Sequence, residues 1–181
     1  DLDFVIENES WMLIGYSEDE LRQFPQIGLL DNVKSGTYVL LQKFDRIEEA
    51  TDNLNKTLMN QMDLTIDHLS LVFHRFLEKN LNMYVNNQAI EPKDPFLTSN
   101  KATQVKRTQK FNINGTTITV KPYILPHLTK LTNDDLTKVG SKEKLRTEQG
   151  FYVYRNQRLI IWGTWFRLER KDELSKLARV M

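Results

Sequence analysis

The 181-residue sequence predicts an α+β fold, a mixed or antiparallel sheet with helices. Three observations lead there. Turn-bounded, β-rich runs dominate after Asn80, and the stretch Arg46 to Asn80 lacks proline and glycine and repeats apolar residues at helical spacing. Two alternating runs also meet at Asn114-Gly115, the pair a tight hairpin turn favours. Hydrophobic residues make up 40% and charged residues 27%, so the chain can bury a core and the composition argues against wholesale disorder.

Taken in order, the first 45 residues read as strand, strand, short helix, strand. Trp11 to Ile14 is a short apolar run. Ser17 stands three residues before Glu20, the spacing of a capping box, so a short helix is expected through Phe24, broken by Pro25 and Gly28. Gly36 to Phe44 is β-rich and predicts a mostly buried strand closed by Asp45. Ile47, Ala50, Leu54, Leu58 and then Leu69, Val72, Phe73 and Phe76 predict two helices, with a break near Gln61 to Asp67 and Asp67 capping the second.

Beyond Asn80 the pattern changes. Leu81 to Val85 and Ala89-Ile90 flank Asn86-Asn87 as a small hairpin, ended by Pro92, Asp94 and Pro95. Val105 to Ile113 and Thr116 to Tyr123 form a second. Residues 127–149 are polar with few apolar anchors and read as a mobile loop with one helical turn capped by Asn133 or Asp134. Gly150 introduces Phe151 to Arg155, a turn at Asn156-Gln157, and Arg158 to Trp162. Lys171 onward starts as a helix, and Ala178 to Met181 reads as a strand cut short. The chain opens at Asp1 without a methionine, so an upstream amino terminus is expected.

Composition narrows function. Cysteine is absent, which excludes disulfides, thiol nucleophiles and thiolate zinc sites, and the cytoplasm is the expected compartment. No apolar run approaches the ~18–20 residues of a membrane span. Net charge is +1, yet residues 1–100 carry 8 Lys and Arg against 17 Asp and Glu, and residues 101–181 carry 17 against 7. Such a split marks either a phosphate or nucleic-acid face, or two regions that attract each other or a partner. His68 and His74 lie six apart on a helix and do not face each other, His127 has no obvious partner, and no catalytic triad or metal pair emerges.

The run Gly150-Phe-Tyr-Val-Tyr-Arg-Asn-Gln-Arg-Leu-Ile160, preceded by a basic loop, resembles the transducer domain of GHKL ATPases, the superfamily of gyrase, heat-shock chaperones, histidine kinases and MutL. MORC-like and related bacterial members are nearest. Gly36 to Val39 with Lys43 to Arg46, the helix His68 to Leu77, the strand Leu81 to Asn86 and Asp94-Pro95-Phe96 fall in the family's order. The resemblance implies that residues 1–80 are the last strands and helices of an ATP-binding domain and residues 81–181 a transducer domain like the fold of small-ribosomal-subunit protein five. It further implies ATP and magnesium bound by a preceding domain, none in this segment, together with a homodimer whose output is engagement of either DNA or another partner. Repair, restriction or defence would be the setting. The family's Asn-bearing magnesium helix and Asp-x-Gly-x-Gly stretch are missing here. The phosphate-contacting lysine is expected after Met181.

Candidate nucleic-acid contacts are Arg155 and Arg158 beside the hairpin turn, with Tyr152 and Tyr154 for stacking, as the resemblance to MutL-like transducers allows. Lys101, Lys106, Arg107, Lys110 and Lys121 on the neighbouring hairpin could join them in one basic strip. Against this stand an Arg–carboxylate pair pinning the hairpin and lysines that merely protect a strand edge. A standalone nucleic-acid-binding module is the alternative function. A third reading, a magnesium nuclease using Asp94 and Glu169-Arg170-Lys171, rests on a common three-residue match.

Overall fold

The computed structural model describes residues 2–11, 15–41, 53–173 and 175–181, and is α+β. Contacts divide the chain into two compact units, Asp1–Asp52 and Asn53–Met181.

The first unit is small and loosely packed. Helix α1 (Leu2–Asn8) stands where a strand was expected. Helix α2 (Glu18–Leu21) forms at the expected capping box: the Ser17 backbone N–H donates to Glu20 Oε2 at 2.8 Å and Glu20 N–H donates to Ser17 Oγ at 3.4 Å. A 3-10 turn, Ile27–Asn32, follows. Residues 36–41 are irregular rather than a buried strand, with Val39 71% and Leu41 70% exposed. Among the described residues of this unit none is fully buried and none forms a strand, so the apolar run has no described core to pack into and no described strand to pair with. The remainder of that expected strand, the run Met12 to Ile14 and the helical positions Ile47 and Ala50 lie outside the described residues.

The second unit opens with helix α3 (Leu54–Val72), capped by Asn53 Oδ1 accepting from Lys56 N–H at 3.0 Å. It is continuous through Gln61 to Asp67, where two helices were expected. The Asp67 carboxylate does not cap a new helix because Lys93 and Lys144 hold it. The break falls at Phe73 (φ −106°, ψ 11°), before the single turn α4 (His74–Leu77).

Strands β1 (Tyr84–Val85) and β2 (Gln88–Ala89) form the first hairpin across Asn86-Asn87, shorter than expected. Then come β3 (Gln104–Val105), β4 (Gln109–Ile113), β5 (Thr116–Val120) and β6 (Pro122–Ile124). β4 and β5 close at Asn114 (φ 50°) and Gly115 (φ 79°), as a type I′ turn requires. The ends of the expected long hairpin belong elsewhere: β3 pairs with β6 in the main sheet.

Residues 127–149 are not a loop. A 3-10 turn (Leu128–Lys130) leads to α5 (Asn133–Val139) and α6 (Lys142–Thr147). The cap of α5 is Thr132, one residue earlier than expected, in a capping box with Asp135. Few apolar anchors are needed because they share a core: Val139 and Leu145 pack with Leu97 and Leu125, flanked by Leu128, Leu131 and Leu177. Strands β7 (Gly150–Arg155) and β8 (Arg158–Thr164) form the expected hairpin, and β9 (Ala178–Val180) is the expected last strand. The helix expected from Lys171 does not form.

The five-stranded sheet has the order β3-β6-β9-β7-β8, antiparallel except for the parallel β7–β9 pair. The last strand is therefore inserted at the centre. Its incoming segment is tied down by Gln149, which is fully buried: Nε2 donates to the carbonyls of Arg146 (2.8 Å) and Asp172 (3.0 Å), and Oε1 accepts from Trp165 Nε1 (3.1 Å) and Ser175 Oγ (2.5 Å). Next to it, Gly150 (φ 112°) lies so close to β8 that a Cβ would sit 2.6 Å from the Thr164 carbonyl oxygen. A second core cluster, Phe96, Tyr123, Tyr152 and Leu159, packs against Leu71 of α3, with Phe96 and Tyr123 stacked at 4.5 Å. No helix among the described residues is long and apolar enough to cross a membrane.

Candidate functional site: a cationic cleft and a dispersed basic surface

The sheet and its helices leave a cleft of about 190 Å³ in the second unit. Its wall comes from α3 (Leu64, Asp67, His68, Leu71), the turn at Lys93 and Pro95, the α5–α6 junction (Lys138, Val139, Gly140, Lys144), and Glu148, Tyr152, Trp162 and Arg179. Local sequence explains how these meet. Helical periodicity puts Leu64, Asp67, His68 and Leu71 on one face of α3. The Lys93 backbone N–H donates to the Ser70 carbonyl at 3.1 Å, which holds the turn against that helix. Gly140 (φ 88°) ends α5, and a Cβ there would come within 2.5 Å of Lys144 Cδ, so the lysine stem can lie across it only because residue 140 is glycine.

Charge in the cleft is unevenly matched. Asp67 forms ion pairs with Lys93 and, at 3.5 Å, with Lys144. Burial pushes the Asp67 carboxyl up, and the two ammonium groups more than reverse this, holding it below its ordinary value. Lys138, also on the cleft wall, pairs with Asp134 at 2.7 Å. Burial raises the Glu148 carboxyl above its ordinary value against the attraction of Lys144, Arg179 and Lys171. Arg179 is 2% exposed. Its Nη1 donates to the carbonyls of Lys176 and Ala178 (both 3.1 Å) and its Nη2 to that of Leu145 (3.0 Å), while Nε has no acceptor. Among the described residues no carboxylate lies within ion-pair distance of it. Burial accordingly lowers the guanidinium pKa.

The seven expected nucleic-acid contacts do not converge on this cleft. Arg155 and Arg158 face each other across the β7–β8 turn, both exposed, and neither makes an ion pair among the described residues. Arg158 lies over the Phe73 ring at 5.2 Å. Of the other five, Lys110 alone is on the β4–β5 hairpin. Lys106 and Arg107 lie in the link from β3, Lys121 in the link to β6, and Lys101 precedes β3. The alternating strip is therefore not built, because β3 and β6 leave the hairpin to join the main sheet. Lys106 Nζ donates to Gln104 Oε1 at 2.9 Å and Lys121 Nζ sits 5.2 Å over the Tyr123 ring.

The aromatic partners are taken as well. Tyr152 is a core residue whose hydroxyl donates to the Glu148 carbonyl at 2.7 Å, and Tyr154 is half-buried beneath the Arg75 guanidinium, 3.9 Å from the ring centroid. Neither offers a free face for a base. The nuclease reading also loses its first residue: the Asp94 carboxylate caps its own turn, accepting from Phe96 N–H (2.9 Å), Thr98 N–H (2.7 Å) and Thr98 Oγ1 (2.5 Å). No cluster of three His, Asp or Glu able to hold a metal exists among the described residues. His74 is buried and hydrogen-bonded, and His68 packs on Trp162 with ring centroids 5.7 Å apart.

Sequence reasoning missed the cleft. Its signal was present only in part: Gly140 just past a helix end and four residues before a lysine is visible, but the approach of residues 67, 93, 144 and 179 is not. Searches of protein-family models, curated proteins and solved structures find no match to this chain.

Proposed function

We propose that this chain is the transducer region of a GHKL-type ATPase, working in the cytoplasm as part of a homodimer. In this reading a preceding ATP-binding domain holds ATP and magnesium, and residues 81–181 pass nucleotide-driven closure to DNA or a protein partner. The observation that supports it is how the segment carrying the resemblance is built in. β7 and β8 form one side of a five-stranded sheet, α3 lies against them, and Gln149 and Gly150 lock the start of β7 to the segment that returns as central strand β9. A body packed this way moves as a unit, as a mechanical coupler must. The motif Asp94-Pro95-Phe96 fits the same role, since Asp94 fixes the turn that drives Phe96 into the core.

The test is ATP turnover by the natural-length protein, intact and with residues 81–181 deleted, each with and without duplex DNA. Turnover that collapses on deletion while the remaining protein still binds nucleotide supports coupling. A natural-length protein that neither binds nor hydrolyses ATP overturns the reading. In that case the second reading, a nucleic-acid-binding module, takes its place, favoured by the two exposed arginines at the β7–β8 turn that form no ion pair among the described residues.

A further inference from the structure

The cleft bounded by α3, α5 and α6 contains a buried cation, Arg179, that has no carboxylate at ion-pair distance among the described residues; Glu148 attracts it from further off, and its guanidinium lies 5.7 Å over the Tyr152 ring. Buried charges are ordinarily paired, and an unpartnered polar group in a packed interior calls for a specific cause. Arg179 is 2% exposed, its two Nη groups are engaged by backbone carbonyls, and its Nε has no acceptor. Lys93 and Lys144 reach the same cleft and share one carboxylate, that of Asp67.

From this geometry we propose that the cleft is a binding site for a small phosphate-type oxyanion, either inorganic phosphate or the phosphate end of a small monoester. The donor set selects this chemistry. A planar carboxylate is best met by the paired Nη fork of an arginine, and here three of its four N–H bonds already donate to carbonyls. What remains are the Nε–H, one N–H of Nη2 and ammonium groups from separate elements, which together can meet a tetrahedral anion from several sides. At about 190 Å³ the space is below the ~300–1,000 Å³ of pockets that enclose drug-sized ligands, so a phosphate group and a few waters fit and a whole nucleotide does not. His68 and Trp162 supply an aromatic rim for the rest of a monoester. Asp67 holds the two lysines in the absence of ligand, so it competes with the anion. The site belongs to the Asn53–Met181 unit and does not depend on the coupling reading.

The test is titration of the full 181-residue chain with inorganic phosphate, glycerol phosphate and acetate. It is followed by the Trp162 indole N–H resonance and by calorimetry at low salt. Phosphate should bind saturably. Asp67→Asn should tighten it by at least about threefold, because one competing charge is removed. Lys144→Gln should weaken it by about tenfold, as loss of a charge-assisted hydrogen bond does. Gly140→Ala, which displaces the Lys144 stem, should weaken it in the same direction. Tighter binding of glycerol phosphate than of phosphate assigns a phosphorylated small molecule, equal binding assigns the free ion, and acetate should bind more weakly than both. All three substitutions are outside the packed core, and far-UV circular dichroism verifies that each variant is folded. The proposal is overturned if Trp162 shows no saturable shift at tens of millimolar phosphate in both the parent chain and Asp67→Asn. It is equally overturned if binding is indifferent to Lys144→Gln and Gly140→Ala, as attraction to a general basic surface would be.

Discussion

Leu145→Ala tests whether residues 127–149 are part of the folded core. Leu145 is 1% exposed and packs with Leu97, Leu125 and Val139, which are themselves buried. Truncating a leucine in such surroundings removes its transfer energy and leaves a cavity, together about 2.7–5 kcal/mol. The position is helical, where alanine is the better former, but that returns only a few tenths of a kcal/mol. A net loss of about 3 kcal/mol, with a urea slope of about 2 kcal/mol per molar, lowers the unfolding midpoint by about 1.5 M. Tryptophan fluorescence is the assay. Trp162 and Trp165 are half-buried in the same unit, whereas Trp11 is already 86% exposed and contributes little change. Glu143→Ala, exposed on the same helix, is the control and should shift stability by no more than about 0.5 kcal/mol. If Leu145→Ala moves the midpoint no further than Glu143→Ala, α6 is not packed, and the wall that carries Gly140, Lys144 and Glu148 is lost from the argument with it.

Two further outcomes are expected. His74 donates from Nδ1 to the Leu71 carbonyl at 2.7 Å, and burial lowers its pKa below the ordinary value of 6.5. The unfolded chain then takes up the proton first. Stability is full above pH about 6.5 and falls as pH drops through the folded pKa, by at most about 1.4 kcal/mol per pH unit. Glu148 acts with the opposite sign, since its raised pKa makes protonation favour the folded state. The comparison is therefore between the parent chain and His74→Gln, in which Glu148 cancels: urea unfolding between pH 7 and 5 should show the shallower slope in the variant, and equal slopes would dismiss His74 as the cause. For the nucleic-acid module, replacing Arg155 and Arg158 by glutamine should reduce the slope of log affinity against log salt for duplex DNA by about 1.8, or about 0.9 per phosphate contact. Undetectable DNA binding at low salt, or an unchanged slope, removes these two residues from the interface.

What the sequence revealed was chiefly what neighbouring residues decide among themselves. The three hairpins of the second unit turn at Asn86-Asn87, Asn114-Gly115 and Asn156-Gln157, and the asparagines there have φ of 49°, 65°, 50° and 48°. Asparagine tolerates that left-handed backbone, so the turns could be read locally. The capping box at Ser17 and Glu20 is equally local. The expected break in α3 failed for the opposite reason. Asp67 has the character of a cap, but its partners lie 26 and 77 residues away, and a tertiary pair outcompeted the local option. Residues 127–149 looked too polar to pack because their anchors, Leu97, Leu125 and Leu177, are supplied by other parts of the chain. In 36–41 a β-rich run met no partner strand among the described residues, and propensity alone did not make a strand.

The charge asymmetry shows the same limit at the level of the site. Internal attraction between an acidic and a basic half was one reading of the split, and among the described residues a single ion pair expresses it. Among the ion pairs of the described residues, Lys144 with Asp67 is the one that joins the two halves, while Arg22–Asp31, Lys93–Asp67, Lys138–Asp134, Arg146–Glu173 and Lys176–Glu173 each stay within one. Within the Asn53–Met181 unit, most of the described cations of residues 101–181 therefore form no ion pair with residues 53–100. Nor is the cationic excess gathered into one strip, because Arg155 and Arg158 lie at the β7–β8 edge of the sheet while Lys106, Arg107, Lys110 and Lys121 attend the β3–β6 side and the hairpin between them. The concentrated part of the excess is the one the sequence hid. Arg179, in what read as a strand cut short at the chain's end, stands in the central strand, because β9 inserts between β6 and β7. A charge placed there is largely withdrawn from water, so an anion reaching the cleft would meet it in a low-dielectric setting where each contact is stronger than at the exposed lysines. Anion binding at the cleft should for that reason be far less sensitive to salt than any binding of DNA by the dispersed surface, and the two titrations can be compared on the same preparation.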